Sequence, residues 1–489
     1  MQLVPFRTFI VALMLGVSCF TICEAQFADT IAPPPELQTG LATITPEQAK
    51  EFLGVLASPA FEGRGTGQIG YMKAAHWVAG KLAEFGLEPA GDGDTYFQMM
   101  PIIRRHPDMS RCKITCPGGV EIAGQGNIGF ERYTNEAEVV GEVAFVSLQG
   151  EDPQLPNVSL RDKIVIYTTD QAAFARAPNL LVRARPAATI RIVNTEPKSR
   201  AQTIFPGRKQ RSGSVSGTIS EAAAQQLATM FRVPANWNAR PNTLLTGNQI
   251  SIRIPMREEQ AGAPNVIAFL EGSDPELADE YIVIGAHLDH LGIQNGAINP
   301  GADDNGSGST AVLSIARAMA ENPVKPKRSV LFMWFAAEEV GLVGSKYYTE
   351  HPVLPLNKMT CMLNIDMVGR NEDTGEGDRA VDNEGHIHLV GSQRGDNALH
   401  DIILAANQYV GFQFELDMES VWNRSDQINF YNQGVPVAFM FGGFHPDYHQ
   451  PSDKIESINF KKIAAAARLY YLAAYGATAH GKFKANQDR

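Results

Sequence analysis

Short apolar runs alternate with helical patterns through the second half of the chain. Each run is followed by a loop rich in Gly, Asn or Pro, and most of the loops lead into an amphipathic segment. The runs cover residues 265–270, 281–285, 328–335, 361–367, 388–390 and 437–441. This alternation predicts an α/β fold with an open, mostly parallel mixed sheet and helices on both faces. A last helical pattern covers residues 460–475.

The first half begins with helices and then becomes β-rich. Thr45 before Pro46, with Gln48 three residues after the Thr, is typical of a helix start. A second helical pattern covers residues 71–85 and ends at Gly86. The β-rich runs cover residues 143–148, 163–167, 189–193 and 249–254.

These changes of pattern predict four parts of the chain. Residues 26–134 begin the main domain, and residues 256–489 complete it. Residues 135–255 contain no recurring pairs of His or carboxylate side chains and are predicted to form an inserted β-rich module. The fourth part is the N-terminal segment, residues 1–25.

The N-terminus has the pattern of a secretory signal peptide. Arg7 precedes an apolar run over residues 9–22, and Cys23 and Ala25 supply small side chains for cleavage before Gln26. A membrane anchor is the alternative, but the run is shorter than the ~20 residues that a spanning helix needs. We therefore expect an exported protein, periplasmic or extracellular, without stable membrane insertion.

Composition narrows the function further. The chain has 489 residues, and its 53 acidic and 42 basic side chains give a formal net charge of −11. This balance argues against a nucleic-acid partner. The five cysteines include Cys112 and Cys116, four residues apart on a predicted strand. A disulfide and a pair of small apolar side chains are both compatible with that spacing.

Polar side chains gather where the predicted strands end. They are His287, Asp289, Asp303, Asp304, Glu338, Glu339, Asp366, Tyr448 and His449. Asp366 lies within an apolar strand, where a carboxylate is costly unless it is paired or bound to a metal. The nitrogen and oxygen donors suit Zn²⁺, with Co²⁺ or Mn²⁺ as substitutes.

Five segments resemble the motifs of a known enzyme family. They are GAHLDHLG, PGADDNGSGS, FAAEEVGLVGS, NIDMVGR and YHQPSDKIE. In this order they are similar to the di-zinc exopeptidases of metallopeptidase family twenty-eight, clan MH, which includes aminopeptidase Y and glutamate carboxypeptidase-like proteins. The likeness extends from about residue 44 to 475, and the inserted module more weakly resembles a protease-associated domain.

The resemblance implies roles for individual residues. It implies two Zn²⁺ ions per chain, held by His287, Asp304, Glu339, Asp366 and His449. Asp304 would bridge the two ions, and a cis peptide bond would follow it. Glu338 would be the general base, Asp289 would orient His287, and Tyr448 would bind the oxyanion. The chain departs from the family at Gln427, where members often carry His.

The expected function is that of a secreted di-zinc aminopeptidase acting on peptides. A carboxypeptidase, a glutaminyl-cyclase-like enzyme and a non-catalytic receptor-like or adhesive protein are the alternatives. A basic segment between Arg176 and Arg211, within the inserted module, is either a solvated face or a surface for an acidic group or protein partner.

Overall fold

The computed structural model describes residues 30–133, 137–155, 158–205, 214–294, 296–375 and 379–485. The predicted signal peptide and the basic residues Arg208 and Lys209 lie outside this part of the chain. Among the described helices, none combines the length and the apolar character needed to cross a membrane.

A nine-stranded mixed sheet, the central sheet, organises the main domain. From one edge its strands are Glu88–Pro89, Asn265–Leu270, Ser329–Phe335, Tyr281–His287, Met359–Asp366, Val437–Phe441, His386–Val390 and Gln413–Glu415, and Phe97–Gln98 also pairs with Asn265–Leu270. The four strands from Ser329–Phe335 to Val437–Phe441 are parallel to one another. The predicted α/β fold with a mostly parallel mixed sheet is confirmed.

Apolar side chains on the two faces of the central sheet enter two different cores. Ile282 and Ile284 pack on one face, and Tyr281 and Val283 pack on the other. This alternation follows from the two-residue repeat of a strand. The first face is covered by helices Pro46–Leu56, Ile69–Glu84, Gly308–Glu321, Asn397–Asn407 and Phe460–Ala479. The second is covered by Val343–Glu350 and Gln427–Tyr431.

An eight-stranded sheet forms the core of the inserted region. Its strands in spatial order are Glu121–Ala123, Lys113–Thr115, Asn242–Ile254, Ala137–Leu148, Ile164–Thr169, Ala188–Val193, Val215–Ser220 and Ile128–Arg132. Helices Ala177–Arg183 and Glu221–Met230 belong to the same region. Strands Ile102–Pro107 and Met256–Ala261 flank this region in sequence, and together with Gln202–Ile204 from within it they form a three-stranded sheet.

The eight-stranded sheet takes three strands from before residue 135, so it begins earlier than the predicted insertion. These strands are only three to five residues long and are separated by Gly-containing turns. Their short patterns do not show which distant strand they join. Cys112 and Cys116 are buried free thiols beside these strands, so the pair acts as small apolar side chains.

Strand register sets the position of the site. His287 pairs with Phe335, Gly285 pairs with Asn364, and Asp366 pairs with Phe441. The carboxyl ends of four parallel strands therefore reach the same level. Polar residues that end or follow these strands meet at one edge of the sheet, as expected for ligand sites in open α/β folds.

Candidate metal centre

The five predicted ligands come together at the carboxyl edge of the central sheet. His287 and Asp366 are the last residues of their strands. Asp304 lies in the turn before helix Gly308–Glu321, and Glu339 lies in the loop after strand Ser329–Phe335. His449 follows the strand Val437–Phe441 through a loop.

Two groups of donor atoms share Asp304. Nε2 of His287 lies 3.4 Å from Oδ1 of Asp304 and 3.3 Å from Oδ1 of Asp366. Nε2 of His449 lies 3.0 Å from Oδ2 of Asp304 and 3.1 Å from Oε2 of Glu339. The two oxygens of Asp304 therefore face different histidines, which is the arrangement of a bridging carboxylate.

These separations fit zinc. Ligand atoms about 2.0–2.2 Å from a tetrahedral Zn²⁺ lie roughly 3.3–3.5 Å from one another. The observed spacings between the histidine nitrogens and the carboxylate oxygens are 3.0–3.4 Å. Imidazole and carboxylate donors are also the types that Zn²⁺ accepts. The residues of this centre therefore suit two ions that share Asp304.

His290 is a part of the centre that the sequence patterns did not indicate. It is fully buried, and its Nδ1 lies 2.6 Å from Oε1 of Glu339 and 3.7 Å from Oδ2 of Asp304. Glu339 is held by His290 through one oxygen and faces His449 through the other. The only sequence signal was the spacing of three residues from His287 in GAHLDHLG.

Asp289 contacts His287 in a way that the resemblance did not imply. The main-chain carbonyl of Asp289 lies 3.0 Å from Nδ1 of His287, whereas its carboxylate oxygen Oδ1 is 3.9 Å away. The carboxylate accepts hydrogen bonds from Oγ1 of Thr66, at 2.6 Å, and from the main-chain N–H of Glu338, at 3.0 Å. Asp289 therefore positions the segment that carries Glu338.

Residues 265–474, which contain all five predicted ligands, match the model of Peptidase family M28. This region is an M28 peptidase domain. Leupeptin-inactivating enzyme 1 of Streptomyces exfoliatus is 34% identical over 209 residues, which are 42% of this chain and 42% of that enzyme. Aminopeptidase YwaD of Bacillus subtilis is 29% identical over 205 residues, 40% of this chain and 41% of that protein. The matches thus span less than half of these relatives.

A solved structure shares the fold over most of the chain. The aminopeptidase from Aneurinibacillus sp. strain AM-1 superposes with a TM-score of 0.52 at 20% sequence identity. The match covers 91% of this chain and 97% of the other. The fold likeness therefore extends beyond the M28 domain to the inserted region.

Deep burial shapes the electrostatics of the M28 domain's centre. Burial raises the pKa of Glu338 well above its usual range, although His287 opposes the shift. Burial also raises the pKa of Asp366, again opposed by His287. For Glu339, burial is outweighed by hydrogen bonds from His290 and His449, which hold its pKa below the usual range. A divalent cation would offset the burial of so many carboxylates.

Hydrogen bonds to two other segments of the chain hold the turn that carries Asp304. The Asp304–Asn305 peptide bond is cis, as the resemblance implies. Oδ2 of Asp453 accepts hydrogen bonds from the main-chain N–H groups of Asp303, at 3.0 Å, and Asp304, at 3.1 Å. The Asn305 side chain donates to the carbonyl of Ile365 at 2.9 Å. The Asn305 bond connects the turn to the strand that ends at Asp366, and the other two connect it to Asp453.

Arg64 connects the N-terminal segment to the M28 domain. It is fully buried, and its guanidinium donates hydrogen bonds of 2.7–2.9 Å to main-chain carbonyls. The carbonyls belong to Leu56, Leu288, Pro300 and Gly301. Leu288 follows the predicted ligand His287, and Gly301 precedes the turn with Asp304. Arg64 therefore fixes two ligand-bearing segments relative to each other.

A pocket opens beside the metal centre. Its apolar walls are Met367, Val421, Phe439, Phe441 and Phe444. Tyr448 and Arg424 also line it, and the Arg424 guanidinium donates to the Tyr448 hydroxyl at 3.3 Å. Gln427, at the departure from the family pattern, is buried and bonds to Asn364 and to the carbonyl of Trp422. It supports the packing behind the pocket.

Proposed function

We propose that the protein is an exported di-zinc aminopeptidase that removes N-terminal residues from peptides. The observation that carries the proposal is the position of Asp304, whose two oxygens face His287 and His449. Shared carboxylates of this kind hold paired ions in co-catalytic sites. The relatives named as aminopeptidases support the choice of reaction.

The residues around the centre fit hydrolysis of an amide bond. His287 and Asp366 would hold one zinc ion, and Glu339 and His449 would hold the other. Asp304 would bind both ions. When bound, the ions polarise the scissile carbonyl and lower the pKa of the attacking water towards ~7. Glu338, at the edge of the pocket, accepts the proton of that water and returns it to the leaving amine.

Tyr448 is the residue that we propose stabilises the developing negative charge. Because the Arg424 guanidinium donates to the Tyr448 oxygen, the hydroxyl proton of Tyr448 stays available to an oxyanion. Burial raises the pKa of Tyr448 far above its usual value, so the hydroxyl remains a donor at neutral pH. A hydrogen-bond donor preplaced in this way lowers the barrier for acyl transfer.

The pocket indicates the side chain that the enzyme prefers. Three phenylalanines, a valine and a methionine form its walls, so a large apolar side chain gains most by entering it. We therefore propose that Leu, Met or Phe at the N-terminus of a peptide is preferred over small or acidic residues.

A substrate panel with metal control tests this function. The panel contains the amides of leucine, alanine and glutamate, N-acetyl-leucine amide, a peptide with a blocked N-terminus and an N-terminal glutamine peptide. We expect leucine amide to be cleaved fastest and N-acetyl-leucine amide to resist cleavage. Hydrolysis of the N-blocked peptide from its C-terminus would indicate a carboxypeptidase, and cyclisation of the glutamine peptide would indicate a cyclase.

Metal analysis completes the test. We expect at least two zinc ions per fully active chain, loss of activity after dialysis against a chelator, and recovery when zinc is returned. One zinc ion or fewer per fully active chain would refute the proposal that two ions act together. Export is tested separately, by the N-terminal sequence of the mature protein, which we expect to begin at Gln26.

A further inference from the structure

We propose that Glu372, His388 and Glu415 form a third metal site, selective for a zinc-like divalent cation and separate from the catalytic pair. These three residues, here called the Glu372 cluster, belong to neither catalytic group. Their ligand atoms all lie within 4.8 Å of one another. The proposal does not depend on the reaction that the catalytic centre performs.

Three segments of the M28 domain bring the cluster together. His388 lies in strand His386–Val390, and Glu415 ends the neighbouring parallel strand Gln413–Glu415. The two residues are direct partners in the strand register. Glu372 comes from the segment that follows strand Met359–Asp366 and packs against this sheet edge.

The spacing of the donor atoms is that of the catalytic groups. Nε2 of His388 lies 2.9 Å from Oε2 of Glu372 and 3.3 Å from Oε2 of Glu415. The corresponding distances at the catalytic centre are 3.0–3.4 Å. Both sets are close to the roughly 3.3–3.5 Å between neighbouring ligands of a tetrahedral zinc ion. Imidazole and carboxylate oxygens are both donor types that Zn²⁺ accepts.

The second nitrogen of His388 supports the same assignment. His388 is 2% exposed, and its Nδ1 makes no hydrogen bond within the described part of the chain. Oδ1 of the exposed Asp417 side chain lies 3.3 Å from this atom, close to it but not hydrogen-bonded. A carboxylate behind the far nitrogen of a ligating histidine is the usual support for a metal-bound imidazole. Nε2 is then directed at the two glutamates as a ligand.

Charge balance also favours a cation. Glu372 is 7% exposed, and Glu415 is partly buried and receives a bond from Nδ1 of His386 at 2.6 Å. The buried amine of Lys462 interacts electrostatically with both glutamates but makes no hydrogen bond within the described residues. Because Lys462 is hydrogen-bonded to neither glutamate within the described residues, it offsets their charge only at a distance. A divalent ion would supply the missing positive charge.

The Glu372 cluster lies directly behind the wall of the catalytic pocket. The His388 ring packs against Phe441, with ring centroids 5.9 Å apart, and Phe441 lines the pocket. The N–H of Asp373 donates to the carbonyl of Phe444, another wall residue, at 2.8 Å. An ion bound to Glu372 would therefore hold this wall in place. Its loss should affect substrate binding more than proton transfer.

Anomalous diffraction tests the site on the wild-type protein. Chelator-treated crystals are soaked in ZnCl₂ and measured on both sides of the zinc absorption edge, and a parallel soak uses MnCl₂. We expect a zinc peak between His388, Glu372 and Glu415 in addition to the catalytic peaks. Filled catalytic positions without a peak at the cluster would overturn the proposal, and a protonated His388 paired with Glu372 would then explain the contacts. Peaks at the cluster alone would sustain it while refuting the proposed function.

Two variants give an independent readout. Glu372→Gln and His388→Gln should each weaken zinc binding at the cluster by at least ~100-fold, so that two ions per chain remain instead of three. We expect KM for leucine amide to rise several-fold while kcat stays near the wild-type value. Glu276→Gln, at an exposed position, is the matched control. Three zinc ions retained in both folded variants would also refute the site.

Discussion

Nδ1 of His290 lies 2.6 Å from Oε1 of Glu339, and this contact leaves Oε2 of Glu339 to face His449. His290 thus acts on the metal centre through a ligand. We predict that His290→Ala weakens zinc binding between Glu339 and His449 by ~10–100-fold, as for other residues that orient ligands. Zinc titration measures this, with His106→Gln, part of an exposed pair with Glu259, as control. Unchanged affinity in a folded variant would contradict the role.

Glu338 should be essential for turnover but not for metal binding. We predict that Glu338→Gln retains both zinc ions and loses at least ~10³-fold in kcat, because the water loses its proton acceptor. Glu339→Ala should instead lose metal. Glu350→Gln, in an exposed ion pair with Lys346, is the control. Near-normal turnover by zinc-loaded Glu338→Gln would assign the base to another residue.

Thr66 should influence catalysis from outside the centre. Its hydroxyl donates to Asp289, whose other carboxylate oxygen holds the N–H of Glu338. We predict that Thr66→Val lowers kcat about tenfold, roughly the effect of one lost buried hydrogen bond of ~1.4 kcal/mol. Metal content should not change, and Thr66→Ser should restore the rate. Equal rates for Thr66→Val and the wild type would show that Asp289 needs no support from this bond.

Arg64 should contribute strongly to stability. A lysine at this position cannot reach all four carbonyls with its single amine, so buried carbonyls would lose their donors. We predict that Arg64→Lys lowers the free energy of unfolding by about 2–5 kcal/mol, at ~1–3 kcal/mol for each unpaired group. Urea unfolding measures the change. Arg317→Lys, an exposed residue paired with Glu321, should change it by less than ~0.5 kcal/mol.

The inserted region is proposed to restrict access to the metal centre. Gly67, next to Thr66, packs beside Thr203 of strand Gln202–Ile204. If the region acts as a lid, reversing the charge of Arg183, Arg185 and Arg200 together should change kcat/KM for long acidic peptides and spare leucine amide. Equal effects on both substrates, or none on either, would leave the region a structural role only.

The sequence predicted best those features that depend on short stretches of the chain. Apolar runs predicted the strands, and polar residues at or after their ends indicated a site at one edge of the sheet. The resemblance of five motifs to a known family implied which of these residues are ligands. His290 was missed because a histidine near a ligand has no pattern that separates support from ligation. The Thr66–Asp289 bond joins residues 223 positions apart, and no local pattern encodes that contact. The pairing partners of the short strands before residue 135 could not be predicted for the same reason.

The hydrogen bonds from Arg64 to four main-chain carbonyls also affect when the metal centre can form during synthesis. The carbonyl partners of Arg64 reach residue 301, and the last of the five predicted ligands is His449. A chain still growing on the ribosome therefore lacks part of the centre until residue 449 has been made. The contacts that stabilise the centre therefore also set how late in synthesis it can form.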